Sequence, residues 1–428
     1  MSFSKLSFSR RFVLTGGATL FGAALLPMCT KAAPADGSFG GQAEWGSSFD
    51  PGTKGEKTVR STYPILSQGT IQATEVMVQR YQQLAAQGGW KQMPGSERLR
   101  VGSKGPSVLA LRQRLIVTGD IDQELSSSQV FDSYVEAGVK RFQERHGLGP
   151  TGVVGNQTYA ALNEPIDIRL KQLEINLVRL RSYAGNLGSR FVTANIPAAY
   201  VETVENGEVQ TRHAAGVGKI DRQSPIMQAK ILDVNFNPFW TVPASIIKKD
   251  LIPKMQKDPT YLDENKIRII TGDGRELSPS QVNWNSDEAT RYKFRQDPGG
   301  EYNSLGFVRI NIANQHGVYM HDTPAKGIFG DDFRFVSSGC IRVQNVRDYI
   351  SWILKDTQGW DRQAIDEAIR GGKRIDAKPA APIPVYWVYI TAWGTPEGVV
   401  QFRDDIYGKD GFGSGAVIKA MQAGDEAE

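Results

Sequence analysis

The spacing of apolar residues changes near residue 190, and this change limits the fold more than any other feature. Before it, apolar residues recur at helical intervals, as in Val108, Leu111 and Leu115. After it, short runs of β-branched and aromatic residues are separated by turn signals such as Asn206-Gly207, a typical hairpin turn. The sequence therefore predicts an α+β protein in which helical units precede a mostly β domain at residues 191–410.

The composition and the net charge exclude some classes of protein and disfavour one class of partner. The chain has 428 residues, of which 40% are hydrophobic and 22% charged, unlike a disordered or collagen-like chain. The formal net charge is +4, but residues 1–35 contain four basic residues and no acidic one. Of the 50 basic residues, 46 therefore remain to balance 46 acidic ones. This neutrality disfavours a nucleic-acid partner.

Residues 1–35 have the pattern of an export signal. Arg10-Arg11 precede an apolar run from Phe12 to Met28, and Ala33-Pro34-Ala35 offers small residues for cleavage. Paired arginines before such a run resemble a twin-arginine signal. We expect export to the periplasm or cell envelope, with no membrane span after cleavage. An uncleaved anchor is the alternative, because a run of about 17 residues is at the lower limit for a spanning helix.

Five further segments can be separated by their composition and spacing. They are a flexible tether at 36–64, a helical scaffold at 65–97 and 164–190, a compact helical unit at 98–163, a lid or capping insertion at 258–300, and a tail at 411–428. The insertion is predicted from its polar, Gly-rich and aromatic character within the β domain.

The unit at 98–163 resembles the small three-helix peptidoglycan-binding module. The resemblance rests on a Leu-rich helix, then Phe142-Gln143, and a turn with Gly152, Gly155 and Thr158 at three-residue intervals. Thr151 stands where an acidic residue is common in that module. The resemblance implies glycan as a partner. An ordinary helical spacer is the alternative.

Cys340 is the residue whose chemistry most needs an explanation. The other cysteine, Cys29, would leave with the leader, so Cys340 would have no disulfide partner in an oxidising compartment. Gly339 allows a sharp turn before it, and we expect a helix to begin after it, whose N-terminus would favour the thiolate. His321 is the expected base, because its strand leads directly into the cysteine loop.

The segment from His321 to Ser337-Ser338-Gly339-Cys340-Ile341-Arg342 resembles the L,D-transpeptidase family of peptidoglycan enzymes. Cys340 follows His321 by nineteen positions, which is similar to the family spacing. The resemblance extends upstream to Gly216-Val217-Gly218-Lys219, Ser224-Pro225 and residues 235–243. It is greatest with larger periplasmic members that carry a helical scaffold, a peptidoglycan-binding module and a capping insertion.

The resemblance implies a role for each matching residue. These roles are Cys340 as nucleophile, His321 as general base and acid, the Asp322 carbonyl as the group that orients the imidazole, the N–H groups of Gly339 and Cys340 as oxyanion hole, Arg342 as a carboxylate-binding residue, Tyr319 and Trp240 as walls of the donor cleft, and Ser337 as a structural hydrogen-bonding residue. For the two aromatic residues, plain core packing is the alternative. No metal and no cofactor are expected.

The implied reaction is peptidoglycan cross-linking by acyl transfer. The thiolate would attack the third residue of a tetrapeptide stem, release D-alanine and pass the acyl group to an amine of a neighbouring stem, forming a 3→3 cross-link. The implied partners are stem peptides and glycan, with cell-wall synthases as a further class, and carbapenems would acylate Cys340. A Cys/His peptidoglycan hydrolase and a non-catalytic wall-binding scaffold are the alternatives.

Overall fold

A ten-stranded sheet forms the centre of the β-rich part of this computed structural model, which describes residues 61–95, 97–125, 127–413, 415 and 417–419. Its strands are β1 (Arg190–Asn195), β2 (Tyr200–Glu205), β3 (Glu208–Gly218), β4 (Met227–Phe236), β9 (Val308–Ile312), β10 (Met320–His321), β11 (Phe335–Ser337), β12 (Ile341–Val343), β13 (Ile375–Ala377) and β14 (Ile383–Val388). The predicted leader at 1–35 and residues 36–60 of the predicted tether lie outside the described residues.

The strand order places the short strand β10 between β9 and β12. The full order is β11-β3-β12-β10-β9-β4-β14-β1-β2, with β13 on β4, and a further pairing of β2 with β3 closes the path on itself. Two helices, α9 (Val346–Leu354) and α10 (Arg362–Arg370), pack on the apolar core that this sheet encloses. The predicted α+β class is confirmed.

The insertion in the β domain has its own sheet and its own core. It contains β5 (Trp240–Thr241), β6 (Ile267–Ile270), β7 (Glu276–Leu277) and β8 (Lys293–Gln296), with α6 (Ala244–Ile246), a π-helical turn (Ile247–Leu251), α7 (Ile252–Lys257) and α8 (Tyr261–Glu264). Its apolar cluster runs from Trp240 to Leu305. We call residues 240–305 the cap. The cap is therefore longer than the predicted insertion at 258–300, because Trp240 and Val242 pack in its core rather than in the large sheet.

The helices before residue 190 form two packed groups. Helices α1 (Gln68–Ala86) and α5 (Ile166–Ser182) pack on each other and on a hairpin of β15 (Ala392–Gly394) and β16 (Val400–Phe402). Helices α2 (Pro106–Thr118), α3 (Ser133–Arg145) and α4 (Asn156–Asn163) share a separate core.

The predicted tether and the predicted tail both contribute residues to the fold. Thr62, at the end of the predicted tether, accepts a hydrogen bond from the main-chain N–H of Val209 at 2.9 Å. In the predicted tail, Val417 and Ile418 are buried, and the Ile418 N–H donates to Asp404 at 2.6 Å. Among the described residues, no helix is long and apolar enough to cross a membrane.

Candidate active site

The pairing of β10 with β12 places four of the predicted site residues on one face of the sheet. The strands are parallel, with Met320 opposite Ile341. Both of these side chains are fully buried in the core of the large sheet. Since successive side chains of a strand point to opposite faces, their neighbours face away from that core. These neighbours are Tyr319, His321, Cys340 and Arg342.

The ring of His321 is fixed by a main-chain acceptor. Its Nδ1 atom lies 2.5 Å from the carbonyl oxygen of Asp322. The carboxylate of Asp322 accepts from the N–H of Phe307 at 3.0 Å and pairs with Lys326, which holds this turn in place. Because a carbonyl oxygen only accepts, Nδ1 carries the proton and Nε2 keeps its lone pair.

The environment of His321 keeps the imidazole neutral. Burial lowers the pKa of His321 to about 3, assisted by the positive charges of Arg342 and Arg309 and opposed by the hydrogen bond to Asp322. A neutral ring leaves the Nε2 lone pair unprotonated, which is the state in which an imidazole can act as a general base.

Cys340 is a free cysteine whose side chain is partly exposed. Burial of the sulfur raises the pKa of Cys340 to about 11, opposed by hydrogen bonding from Tyr319 and by the charges of Arg309 and Arg342. The predicted helix after Cys340 is absent: strand β12 follows directly, and α9 begins at Val346. A helix N-terminus therefore does not stabilise the thiolate, and that expectation was wrong.

Ser337 braces the turn that presents the sulfur. Gly339 has φ of 113°, a conformation that disfavours residues with a Cβ. Its N–H donates to Ser337 Oγ at 3.1 Å, and the same hydroxyl donates to the Cys340 carbonyl at 2.5 Å. The Gly339 N–H, predicted to line the oxyanion hole, is therefore engaged within the turn. Among the described residues, the Cys340 N–H has no acceptor, so it is the donor available to an oxyanion.

Ser224 joins this turn to strand β3. It is 1% exposed, accepts from the Gly218 N–H at 2.9 Å and donates to the Gly339 carbonyl at 2.9 Å. A Cβ on Gly218 would lie 2.3 Å from the Arg222 carbonyl, so the close approach of these two segments requires glycine. In the sequence, Ser224 and Gly218 were singled out only because they match the family pattern. Their role in supporting the turn before Cys340 is visible only in the structure.

Tyr319 and Trp240 lie beside the sulfur. Tyr319 interacts with both Trp240 and Cys340, and its ring packs against the core of the cap. Burial raises the pKa of Tyr319, as does the neighbouring Cys340, so the hydroxyl stays a donor. Trp240 is 9% exposed and belongs to the core of the cap. The contact therefore brings the cap close to Cys340.

Arg309 is a site residue that the sequence reasoning missed. It pairs with His321 across β9 and β10, and its guanidinium carbon lies 4.2 Å above the centre of the Tyr319 ring. Arg342 occupies the opposite side of His321 in the register of β10 and β12. The available signal was the sequence Val308-Arg309-Ile310, in which one charge alternates with buried aliphatic residues.

Arg222 connects the cysteine loop to the cap. Its guanidinium forms two hydrogen bonds with Asp250 of the cap, at 2.5 and 3.0 Å, and one with Ser338 at 3.0 Å. This contact and the packing of Tyr319 against the core of the cap join the cap to the cysteine loop and to the segment before His321. Among the described residues, no group of three His, Cys, Asp or Glu side chains is placed to bind a metal ion.

Comparison with known sequences assigns two segments. Residues 189–365 match the family profile described as "L,D-transpeptidase catalytic domain", and residues 104–162 match that described as "Putative peptidoglycan binding domain". A curated relative from Haemophilus influenzae, named "Putative L,D-transpeptidase", is 32% identical over 241 residues. The alignment covers 56% of this chain and 48% of the relative, so the chain spans about half the length of the relative that it matches.

Solved structures of the same family are also similar to the chain, at low identity. An L,D-transpeptidase from Stackebrandtia nassauensis is 12% identical with a TM-score of 0.26, over 72% of this chain and 99% of that one. The catalytic domain of an E. faecium L,D-transpeptidase acylated by ertapenem is 11% identical with a TM-score of 0.23, over 48% of this chain and all of that one. At these TM-scores, the similarity to solved structures does not support the match to the two family profiles any further.

Proposed function

We propose that this chain, which contains an L,D-transpeptidase catalytic domain at residues 189–365 and a peptidoglycan-binding domain at 104–162, joins stem peptides by 3→3 cross-links. The observation that carries the proposal is the pairing of β10 with β12. It puts a neutral imidazole with a free Nε2 on the same face as the Cys340 thiol. The proposed roles are nucleophile for Cys340 and general base, then acid, for His321.

In the first half-reaction, the enzyme becomes acylated. Cys340 Sγ attacks the carbonyl carbon of the third stem residue while its proton passes to His321 Nε2. The carbon–nitrogen bond to the fourth residue then breaks, and Nε2 returns the proton to the amine of the departing D-alanine. The Cys340 N–H, which has no acceptor among the described residues, is placed to stabilise the oxyanion of the intermediate.

In the second half-reaction, the acyl group moves to an acceptor. The side-chain amine of a neighbouring stem attacks the thioester, His321 Nε2 takes a proton from that amine, and Sγ leaves and is protonated. An amide bond is broken and an amide bond is formed, so the reaction needs neither ATP nor a redox cofactor. The high pKa of the thiol makes proton transfer to His321 part of the attack itself rather than a step before it.

The cap has a place in this chemistry because water competes with the amine. Its contacts with Tyr319 through Trp240 and with the cysteine loop through Arg222 support a role in covering the thioester. The peptidoglycan-binding domain would hold the enzyme on glycan. Both activities require a location outside the cytoplasm, and we propose the periplasm, reached by the twin-arginine route.

Product analysis tests the proposal. The protein is incubated with a disaccharide tetrapeptide, and the products are identified by mass spectrometry, with Cys340→Ala as the matched control. We expect a cross-linked dimer and free D-alanine from the wild type and neither from the variant. Tripeptide without dimer would identify a hydrolase. Glycan binding that is unchanged by Cys340→Ala, with no product from either protein, would identify a wall-binding scaffold.

A further inference from the structure

The peptide unit between Gly339 and Cys340 is held in one orientation by Ser224. Its carbonyl oxygen, that of Gly339, accepts a hydrogen bond from the Ser224 hydroxyl at 2.9 Å. A trans peptide is planar, so its C=O and N–H groups point in opposite directions. The hydroxyl that fixes the Gly339 carbonyl therefore also fixes the direction of the Cys340 N–H, which is the donor that the proposed mechanism assigns to the oxyanion.

The hydroxyl of Tyr407 holds Ser224 and Gly218 together. It donates to the Gly218 carbonyl at 2.6 Å and accepts from the Ser224 N–H at 3.2 Å. The Ser224 hydroxyl in turn accepts from the Gly218 N–H at 2.9 Å. All three residues are buried, so loss of the Tyr407 hydroxyl would leave a carbonyl and an N–H unpaired in the interior. One side chain thus fixes the segment on which the Gly339 carbonyl depends.

Tyr407 lies in a turn well beyond residues 189–365, which match the catalytic-domain profile. The Asp405 carboxylate closes this turn by accepting from the Asp410 N–H at 2.8 Å. It also accepts from the Tyr389 hydroxyl at 2.6 Å, and that hydroxyl accepts from the Tyr407 N–H at 2.8 Å. The rings of Tyr407 and Tyr389 stack with their centres 5.7 Å apart. Main chain and ring of Tyr407 are therefore both fixed, which holds its hydroxyl in place.

Asp410 ties the same turn to the helical scaffold. Its carboxylate accepts from the guanidinium of Arg179, on α5, at 2.6 Å and from the Thr391 hydroxyl at 2.8 Å. Thr391 also accepts from the side-chain amide of Asn176, again on α5, at 2.6 Å. A continuous set of hydrogen bonds therefore runs from α5 through the turn at Tyr407 to the peptide that precedes the sulfur.

We propose that the Tyr407 hydroxyl positions the oxyanion donor of Cys340. It acts through Ser224 and Gly218, without contact with the substrate, by keeping the Gly339–Cys340 peptide in one orientation while negative charge develops on the attacked carbonyl. This inference rests on the proposed function and adds to it a positioning residue from outside the matched catalytic segment. It predicts a loss that is confined to reactions in which an oxyanion forms.

Two reactions of the same sulfur separate this role from a merely structural one. Acylation by a carbapenem passes through a tetrahedral oxyanion, whereas alkylation by iodoacetamide displaces iodide from a saturated carbon and forms none. Both reactions depend on the exposure and the ionisation of Cys340. Their rate constants are measured by intact mass on the full chain in a Cys29→Ser background, for the parent protein, Tyr407→Phe and Tyr159→Phe.

Tyr407→Phe keeps the ring that stacks on Tyr389 and removes only the hydroxyl. We expect acylation to become about tenfold slower, less than the loss of about 100- to 1,000-fold that follows removal of an oxyanion donor itself. Alkylation should keep the parent rate. Tyr159→Phe is the matched control, because it removes a hydroxyl that donates to the Glu97 carbonyl at 2.9 Å, and it should change neither rate.

A second variant covers the case in which Tyr407→Phe loses its thermal unfolding transition. Tyr389→Phe removes the hydroxyl that accepts from the Tyr407 N–H and donates to Asp405, so Tyr407 should be held less firmly. Acylation of this variant should also be slower while its alkylation is unchanged, with a smaller effect than in Tyr407→Phe.

Two results would overturn the inference and leave the proposed function intact. One is acylation of Tyr407→Phe at the parent rate. The other is slowing of acylation and alkylation by the same factor, which is the result of a loosened turn alone. A parent protein that is alkylated on Cys340 but not acylated by the carbapenem would instead contradict the proposed function itself.

Discussion

The Nδ1 atom of His321 donates to the main-chain oxygen of Asp322 over 2.5 Å, so the imidazole is oriented by a neutral group. A carboxylate in that position would raise the pKa of the imidazole through its charge, whereas a carbonyl fixes the tautomer with less effect on basicity. Together with burial and two nearby arginines, this keeps His321 neutral. The free protein therefore holds a thiol and a neutral imidazole on one face of the sheet, rather than a thiolate and an imidazolium.

The first prediction concerns the pH dependence of Cys340 alkylation. Because the pKa of the thiol is about 11, the thiolate fraction rises about tenfold per pH unit below that value. The rate of reaction with iodoacetamide should therefore rise without a plateau from pH 6 to 9. The measurement is intact mass against time in a Cys29→Ser background, with Cys340→Ser as control. A rate that is constant from pH 5 upwards would indicate an ion pair instead.

The second prediction concerns acid stability. His146 stacks between Phe142 and Phe402, and burial, with the charges of Arg145 and Arg169, holds its pKa well below 6.5. Below pH 6.5 the unfolded chain binds a proton that the folded chain does not, so the free energy of unfolding should fall by about 1.4 kcal/mol per pH unit for this residue.

Urea unfolding between pH 7 and 5 measures this slope. His146→Gln should reduce the pH dependence by one proton, although its stability at pH 7 will be lower. His316→Gln, which replaces an exposed histidine, is the matched control for the effect of the substitution itself. An identical slope in His146→Gln and the wild type would show that His146 does not contribute.

The third prediction concerns the contact between the cap and the cysteine loop. Arg222→Gln removes the hydrogen bonds to Asp250 and weakens that to Ser338, so the cap should cover the thioester less well. We expect the ratio of hydrolysed to cross-linked product to rise severalfold. Lys248→Gln, which breaks an exposed ion pair with Asp287 within the cap, is the control and should leave the ratio unchanged. If Arg222→Gln and Lys248→Gln give the same ratio of hydrolysed to cross-linked product, the contact of the cap with the cysteine loop does not exclude water from the thioester.

The fourth prediction concerns Ser224. Ser224→Ala leaves the buried Gly339 carbonyl and Gly218 N–H without their partner, at a cost of about 1–3 kcal/mol in the free energy of unfolding. The turn before Cys340 should loosen, so kcat should fall together with stability. Ser351→Ala is the control, because among the described residues the Ser351 hydroxyl bonds to the Arg347 carbonyl alone, one turn earlier in α9. A Ser224→Ala enzyme with unchanged kcat would show that the turn does not need this support.

The spacing of apolar residues correctly predicted elements that bury one face against a single core. Helix α9 at Val346–Leu354 coincides with the predicted helix because its apolar residues recur at helical spacing and all face one core. The error after Cys340 has a local cause as well: Ile341-Arg342-Val343 alternates in the manner of a strand, and both aliphatic residues are buried. The alternating pattern after Gly339 therefore forms a strand, where a helix start was expected.

Register and core membership could not be read from the sequence. Arg309 joins the site only because β9 pairs with β10 so that it lies opposite His321, and nothing along the chain fixes that alignment. The cap begins at Trp240 rather than at residue 258 for a similar reason. Trp240 would be buried in the core of the cap or in the core of the large sheet. Packing between segments that are distant in the sequence places it in the core of the cap.

The central claim is that Cys340 is an acyl-accepting nucleophile served by His321. Intact-mass measurement after incubation with a carbapenem tests it most directly, because the β-lactam acylates the sulfur without an acceptor and the adduct persists. We expect a mass increase of one drug molecule on Cys340, absent in Cys340→Ala and strongly slowed in His321→Ala. An unmodified wild type, or an adduct that survives in Cys340→Ala, would contradict it.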